Sequence, residues 1–335
     1  MVSLDISAGS IKENKQFKRK IVIVGTGLVG SSYAFTLLNR NLCDELVLID
    51  ANQQKAEGEA ADLAHGLAFS DSTMDIYAGN YSDCRDASIV VIAAGAAQAV
   101  GETRSDAGII TRNSRTIETI VKSTAESGFE GIFLIATNPV DVMSMIAYKS
   151  SGFPASRIIG SGTTLDTARL RFLLGKYFGV DAHNIHAYVI GEHGDSEFVP
   201  WSNAFVSTKS TDELCAEHPL RFSKDKLTEL EQEVRGSAYK IIAAKQATCY
   251  GIGMALARIT KAIFEDEHSI LTVSSLLEGE YNLGNVWLGT PCILGKEGIY
   301  GKLRLKLTDE ETEKLKFSAN VVAKNYDDAL SSIII

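Results

Sequence analysis

The segment Gly25-Thr26-Gly27-Leu28-Val29-Gly30 follows a short β-branched run at residues 21–24 and leads into a helical pattern over 29–39. Three glycines at this spacing between a strand and a helix specify a tight turn. The backbone can then approach a ligand closely, and the N–H groups at the helix start attract an anion. A pyrophosphate has the shape and charge for such a turn. Asp50 stands 20 positions after Gly30, at the end of the second apolar run, where a carboxylate can accept hydrogen bonds from ribose hydroxyls. The expected cofactor is therefore NAD rather than NADP, whose 2′-phosphate would face that charge. The plainer alternative is a glycine turn that only packs a helix on a strand, with Asp50 an ordinary strand-end residue. The complete strand–turn–helix context favours the dinucleotide. The cofactor-binding set is Gly25, Gly27, Leu28, Val29, Gly30 and Asp50.

Four near-continuous apolar runs, at 21–24, 46–49, 89–93 and 132–136, alternate with helical patterns at 29–39, 53–68 and 109–127. Runs of this kind suit strands buried on both faces of a parallel sheet, and each intervening helix is long enough for a right-handed crossover. After residue 160 the rhythm changes. Helical patterns at 165–177, 226–245 and 309–326 mix with extended runs at 185–190 and 270–275. The expected fold is α/β, a Rossmann-type doubly wound parallel sheet followed by a mixed α+β substrate or catalytic domain. The expected divisions are a lead over 1–19, a dinucleotide-binding domain over 20–162 and a catalytic domain over 163–335.

The chain has 335 residues, 45% of them apolar, enough for a large core. Its net charge of -9 argues against general attraction to nucleic acid or anionic lipid, so an anionic substrate must meet placed arginines. No apolar stretch reaches the ~20 residues that span a bilayer, and the first 17 residues carry no apolar signal region. The expectation is a cytoplasmic protein. The five cysteines are scattered without C-x-x-C spacing and read as packing thiols, and the histidines offer no zinc pattern, so no metal is expected.

Reduction of a 2-oxo acid requires a proton donor near neutral pH, a cation on the carbonyl and a fork for the carboxylate. His193, in Gly191-Glu192-His193-Gly194-Asp195, suits the first task, since an unperturbed imidazole titrates near ~6.5 and a carboxylate can fix its tautomer. Asp166 could be that carboxylate. Asp166 and Arg169 share a helix face by their i to i+3 spacing, and a guanidinium can grip a carboxylate with two parallel bonds. Arg104 lies in a segment of small residues, 95–104, that could close over the site and bring its charge to the carbonyl oxygen. Taken singly, each residue has a bland alternative as a turn, core or surface residue; together, behind a dinucleotide motif, they describe a dehydrogenase.

With these segments, and with Gly101-Glu102-Thr103-Arg104 and Thr137-Asn138-Pro139-Val140-Asp141, the chain resembles the L-lactate and malate dehydrogenase family from residue 20 onward. The resemblance implies His193 as acid/base, Asp166 as its partner, Arg169 as carboxylate anchor and Arg104 as carbonyl polariser. It further implies Asn138 on substrate and nicotinamide, Thr248 on the substrate and Ile252 near the nicotinamide, and it leaves open whether the bond before Pro139 is cis. Gln98 occupies the position at which malate dehydrogenases carry an arginine, so a second substrate carboxylate would lack its partner. Pyruvate/lactate is thus favoured over oxaloacetate/malate. Ala99, Val100, Ser105 and Ala107 depart from the family's usual lid, which lets bulkier 2-oxo acids be tested against pyruvate. Arg171 and His186 match positions where bacterial relatives bind fructose 1,6-bisphosphate between subunits, an effector site left open here, and the resemblance implies a homotetramer. The alternatives are a malate or other L-2-hydroxy acid dehydrogenase, a catalytically silent NAD-binding structural protein and, more remotely, an NAD-dependent glycoside hydrolase.

Overall fold

The computed structural model describes residues 19–96 and 107–333. The first half alternates as expected: β1 (Lys20–Val24), α1 (Leu28–Arg40), β2 (Glu45–Ile49), α2 (Gln53–Gly66), β3 (Asp75–Ala78), β4 (Ile89–Ile92), α3 (Ala107–Glu126), β5 (Ile132–Ile135), α4 (Val140–Ser151) and β6 (Ile158–Gly160). All six strands are parallel in the order β3-β2-β1-β4-β5-β6, the doubly wound arrangement. The reversal of strand order falls between β1 and β4, which puts a crevice beyond their carboxyl ends.

β1 shows why a continuous apolar run suits this position. Val22 and Val24 point into one core with Ile117 of α3, Val140 of α4 and Val322, whereas Ile21 and Ile23 point into the other with Leu37 of α1 and Leu256. Each buried aliphatic side chain of this kind contributes ~1.5–3 kcal/mol, so an unpaired polar side chain at any of positions 21–24 would be costly on either face.

The second half begins with α5 (Thr164–Phe178), followed by β7 (Ile185–His186), β8 (Phe205–Val206), β9 (Lys209–Ser210), α6 (Thr211–Glu217), α7 (Lys224–Lys245) and α8 (Tyr250–Phe264). It ends with β10 (Ser269–Leu277), β11 (Val286–Gly295), β12 (Gly298–Lys302) and α9 (Asp309–Ile333). The extended run expected over 185–190 is a strand only at Ile185–His186, with a separate bridge from Ile190 to Phe198. The second half also does not keep a separate large sheet: β10 bridges β6 antiparallel through Ser274 and Gly160, extending one sheet to nine strands. β7, β8 and β9 form a small antiparallel sheet of their own.

The halves interlock where α8 crosses α1. Gly253 lies so close to Ser32 that a Cβ there would sit 3.0 Å from its carbonyl, and the hydroxyls of Tyr33 and Thr260 meet at 2.6 Å in the core. Among the described residues, no helix is long and apolar enough to cross a membrane.

Candidate active site

The glycine turn is built from backbone contacts. Gly25 adopts φ +103°, its N–H donates to the carbonyl of Ile49 at 2.7 Å, and a Cβ on it would lie 2.4 Å from the Ala94 nitrogen. Gly27 is the N-cap of α1 with no side chain capping the helix, and a Cβ there would meet no atom within 4 Å. Gly30 is the opposite case, since its Cβ would lie 2.0 Å from the Gly25 carbonyl oxygen. Gly25 and Gly30 therefore bring turn, strand and helix together, and Gly27 leaves an open, uncapped helix start that fits a pyrophosphate.

Asp50 directly follows β2 and is held by the glycine turn. Its Oδ2 accepts from the Thr26 N–H (2.8 Å) and hydroxyl (3.0 Å), and its Oδ1 accepts from the Asn52 N–H (3.0 Å). Burial alone would raise this carboxyl, but the three donors outweigh it and hold the group below the usual carboxylate range. Asp50 thus pins the glycine turn and presents a stable negative charge beside it.

From this turn a cleft of about 250 Å³ runs toward the second half. Gly27, Leu28 and Val29 line one end; Asn138, Arg169, His193, Thr248 and Ile252 line the rest. Most of these side chains arrive from the carboxyl ends of parallel strands. Asn138 follows β5, with a cis bond to Pro139, and α5, which carries Arg169, follows β6. Thr248 lies between α7 and α8, and Ile252 is in the first turn of α8. The neighbouring Cys249 is one of five buried thiols; burial would raise it, but Lys245 Nζ at 3.2 Å, the Ser32 hydroxyl and the Tyr250 N–H together lower it.

His193 is fixed from three sides. Nδ1 lies 2.6 Å from Asp166 Oδ2, and the other oxygen of that carboxylate, Oδ1, accepts from Arg169 Nη1 at 2.7 Å. Asp166 itself is buried. The backbone N–H of His193 donates to Asp141 Oδ2 at 2.8 Å, and Asp141 Oδ1 accepts from the Ser274 hydroxyl at 2.5 Å. Glu197 completes the group: its Oε2 is 3.9 Å from Nδ1, and a carboxylate oxygen of Asp166, a ring nitrogen of His193 and a carboxylate oxygen of Glu197 all lie within 4.8 Å of one another. His193 lines the cleft, and an imidazole whose Nδ1 is held by a carboxylate is a group that can exchange a proton through Nε2.

Three participants escaped the sequence reading. Asp141 stands in the Thr137–Asp141 segment that carried the resemblance, but nothing in its spacing points to the His193 backbone 52 residues on. Asn113, buried in α3, accepts from the Ala96 N–H and donates to the Asn138 carbonyl, both at 2.7 Å, and so ties the ends of β4 and β5 together. Glu197 had one available signal, its position four residues after His193.

Arg171 and His186 lie away from the cleft. Arg171 lines a separate cavity of about 440 Å³ with Ala168, Tyr188 and Arg258. Its Nε donates to the Ala187 carbonyl at 3.1 Å, its guanidinium covers the Tyr188 ring, and burial lowers its proton affinity. His186 is an exposed residue of β7. The expectations for Gln98, Arg104, Ala99, Val100 and Ser105 fall outside the described residues; Ala107 opens α3.

Comparison with known proteins agrees with this geometry. The NAD binding domain of lactate/malate dehydrogenase matches residues 19–160, and the family's alpha/beta C-terminal domain matches 163–333. An L-lactate dehydrogenase of Priestia megaterium is 49% identical over 93% of this chain and 96% of its own length. Among solved structures, a lactate dehydrogenase from a Medee basin deep-sea metagenome library superposes with a TM-score of 0.89 at 49% identity, covering 93% of this chain and 99% of that one. The minor L-lactate dehydrogenase of Enterococcus mundtii, in its ligands-bound form, gives 0.89 at 42% identity, covering 93% and 98%. A glycine turn pinned by an acidic strand end, opening into a cleft that ends on a carboxylate-held histidine, is thus found in a chain that belongs to the NAD-dependent lactate/malate dehydrogenase family.

Proposed function

We propose that the protein is an L-lactate dehydrogenase that reversibly reduces pyruvate with NADH. The observation that carries this reading is the continuous chain from Arg169 through Asp166 to His193 at the wall of the cleft that begins on the glycine turn. The proposed division of labour puts NAD on residues 20–162 and substrate on 163–335, so that the reacting atoms meet at the seam. Hydride exchange with the substrate carbon is the chemistry that NAD supplies when bound. His193 gives the proton from Nε2 to the carbonyl oxygen, and in the reverse direction takes it back. Asp166 holds the tautomer and steadies the imidazolium. Arg169, whose guanidinium is only partly engaged by Asp166, turns its remaining donors to the substrate carboxylate. Arg104 is assigned to the carbonyl oxygen, Asn138 and Thr248 to the substrate, and Ile252 to the apolar wall beside the nicotinamide.

Gln98 supports pyruvate over oxaloacetate, because a second carboxylate in a closed site would lack a cationic partner. The test is a panel following NADH loss with pyruvate, oxaloacetate, 2-oxoisocaproate and a blank. The highest kcat/KM is expected on pyruvate. A higher value on oxaloacetate overturns the substrate assignment, and no oxidation with any oxo acid overturns the enzyme.

By likeness to its relatives, the reading extends to a cytoplasmic homotetramer working in pyruvate fermentation at the end of glycolysis. Arg171 and His186 would then form part of a site for fructose 1,6-bisphosphate between subunits. Sedimentation checks the assembly, and pyruvate saturation curves check the effector.

A further inference from the structure

Asp166 is surrounded by more positive charge than one carboxylate can serve. Its two oxygens are divided between Arg169 at 2.7 Å and His193 at 2.6 Å. With Asp166 matched by Arg169, a proton added to His193 needs a further negative charge in a site where water screens little. Glu197 is placed to provide it. Its side chain is 4% exposed, and Oε2 lies 3.9 Å from Nδ1. That distance is too long for a hydrogen bond and so does not compete with Asp166 for the ring proton, but it is short for a charge interaction.

The backbone at Glu197 is clamped. Its carbonyl accepts from Arg235 Nη2 at 2.8 Å and Nε at 3.3 Å, and the next residue, Phe198, bridges Ile190. The other charged groups around His193 have different occupations. Asp141 of α4 faces the backbone N–H, Glu192 accepts from the Ser196 hydroxyl, Asp195 accepts from Tyr239 of α7, and Arg235 is shared between the Glu197 carbonyl and Glu231. From α9 the neighbour of this loop is the neutral Ser318.

We infer that Glu197 is a positioning residue for the catalytic proton: its carboxylate is the counter-charge that balances the His193 imidazolium and keeps the proton on the ring as the pH rises. Counting Asp166, Glu197 and Arg169, the cluster carries one net negative charge when the imidazole is neutral and none when it is protonated. Removing the Glu197 charge makes the protonated cluster net positive, so the proton is lost at lower pH.

This inference rests on His193 being the proton carrier, and the experiment keeps the two apart. Glu197→Gln is compared with the parent protein by the pH dependence of kcat/KM for pyruvate at saturating NADH. The same two proteins are compared by NMR titration of the His193 ring, assigned with His193→Gln. The alkaline midpoint of pyruvate reduction is expected to fall by about one unit or more, so that activity is nearly intact in acid and falls about tenfold near pH 8. The ring titration should move by the same amount. Glu197→Asp, which keeps the charge but withdraws it by one methylene, should move both midpoints in the same direction by less, and it serves alone if the glutamine variant does not fold. Superimposable profiles and titrations for a folded variant overturn the inference. Absence of pyruvate reduction in the parent protein overturns the activity instead, and the ring titration still reads Glu197.

Discussion

Asp166 Oδ2 stands 2.6 Å from Nδ1 of His193, and both side chains are largely withdrawn from water. The pairing orders the imidazole, because one ring nitrogen is committed to a buried carboxylate, and this order is what the proposed proton transfer relies on.

Asp166→Asn tests that ordering. The amide keeps the size of the carboxylate but loses its charge and can hold the wrong tautomer. In the proposed reaction, kcat should fall by about 10²–10⁴-fold with the fold retained. Steady-state pyruvate reduction and a melting curve check this together. A loss smaller than about tenfold would remove Asp166 from the proton path.

Arg169 donates to Asp166 Oδ1 from Nη1 at 2.7 Å. Arg169→Lys preserves the charge but cannot offer two parallel N–H groups. The expected result is a rise in KM for pyruvate large enough to lower kcat/KM about 100-fold, corresponding to ~3 kcal/mol of lost charged hydrogen bonding. NADH binding, measured by fluorescence, should be unchanged. Unaltered Michaelis behaviour would sink the anchor assignment.

The strands were legible because both faces of a parallel sheet are apolar: β1, β2, β4 and β5 fall within a residue or so of the runs at 21–24, 46–49, 89–93 and 132–136. β3 and β6 were not, since Asp75–Ala78 is an edge strand with an exposed first residue and Ile158–Gly160 is three residues long. The site divides in the same way. His193, Asp166 and Arg169 carry chemistry that a motif can signal. Asp141, Asn113 and Glu197 matter through contacts that only the folded chain creates, such as the 52-residue reach from Asp141 to the His193 N–H.

Asp50 is expected to govern both cofactor choice and acid stability. Asp50→Asn should weaken NADH binding about tenfold and reduce discrimination against NADPH, read by titration with each cofactor. The folded protein holds this carboxyl below its unfolded value through the Asn52 and Thr26 donors, against the opposing effect of burial. Its stabilising contribution is therefore present above the unfolded range near ~3.9 and is lost as the pH falls through the lower folded value. The melting temperature of the variant should lie below that of the parent at neutral pH, with the gap closing in acid. A gap independent of pH contradicts this account.

Arg171 bonds the Ala187 carbonyl and covers Tyr188, one and two residues from His186. If these residues contribute to an effector site between subunits, fructose 1,6-bisphosphate should move the pyruvate saturation curve to lower concentration, and Arg171→Gln should abolish the shift while leaving the curve without effector nearly unchanged. Superimposable curves for the parent protein end the effector proposal.

The packed Gly30 and the open Gly27 of the turn should separate folding from cofactor binding. At Gly30 an added methyl meets the Gly25 carbonyl oxygen at 2.0 Å, and backbone cannot yield as a flexible side chain can. Gly30→Ala should thus force α1 away from β1, destabilising the protein by about 2 kcal/mol or more and lowering Tm by about 3 °C or more. At Gly27 the backbone has φ -72°, which alanine accepts, and the methyl meets no atom within 4 Å. Gly27→Ala should leave Tm within about 2 °C, because losing a glycine N-cap costs at most about 1 kcal/mol, which moves Tm little in a chain of this size. The open space at Gly27 is where a pyrophosphate approaches the helix start, so the same variant should bind NADH at least about tenfold more weakly. Calorimetric melting and NADH titration of both variants read the two effects separately. A Gly27→Ala protein that binds NADH normally would show that the cofactor does not use this helix start, whatever its activity.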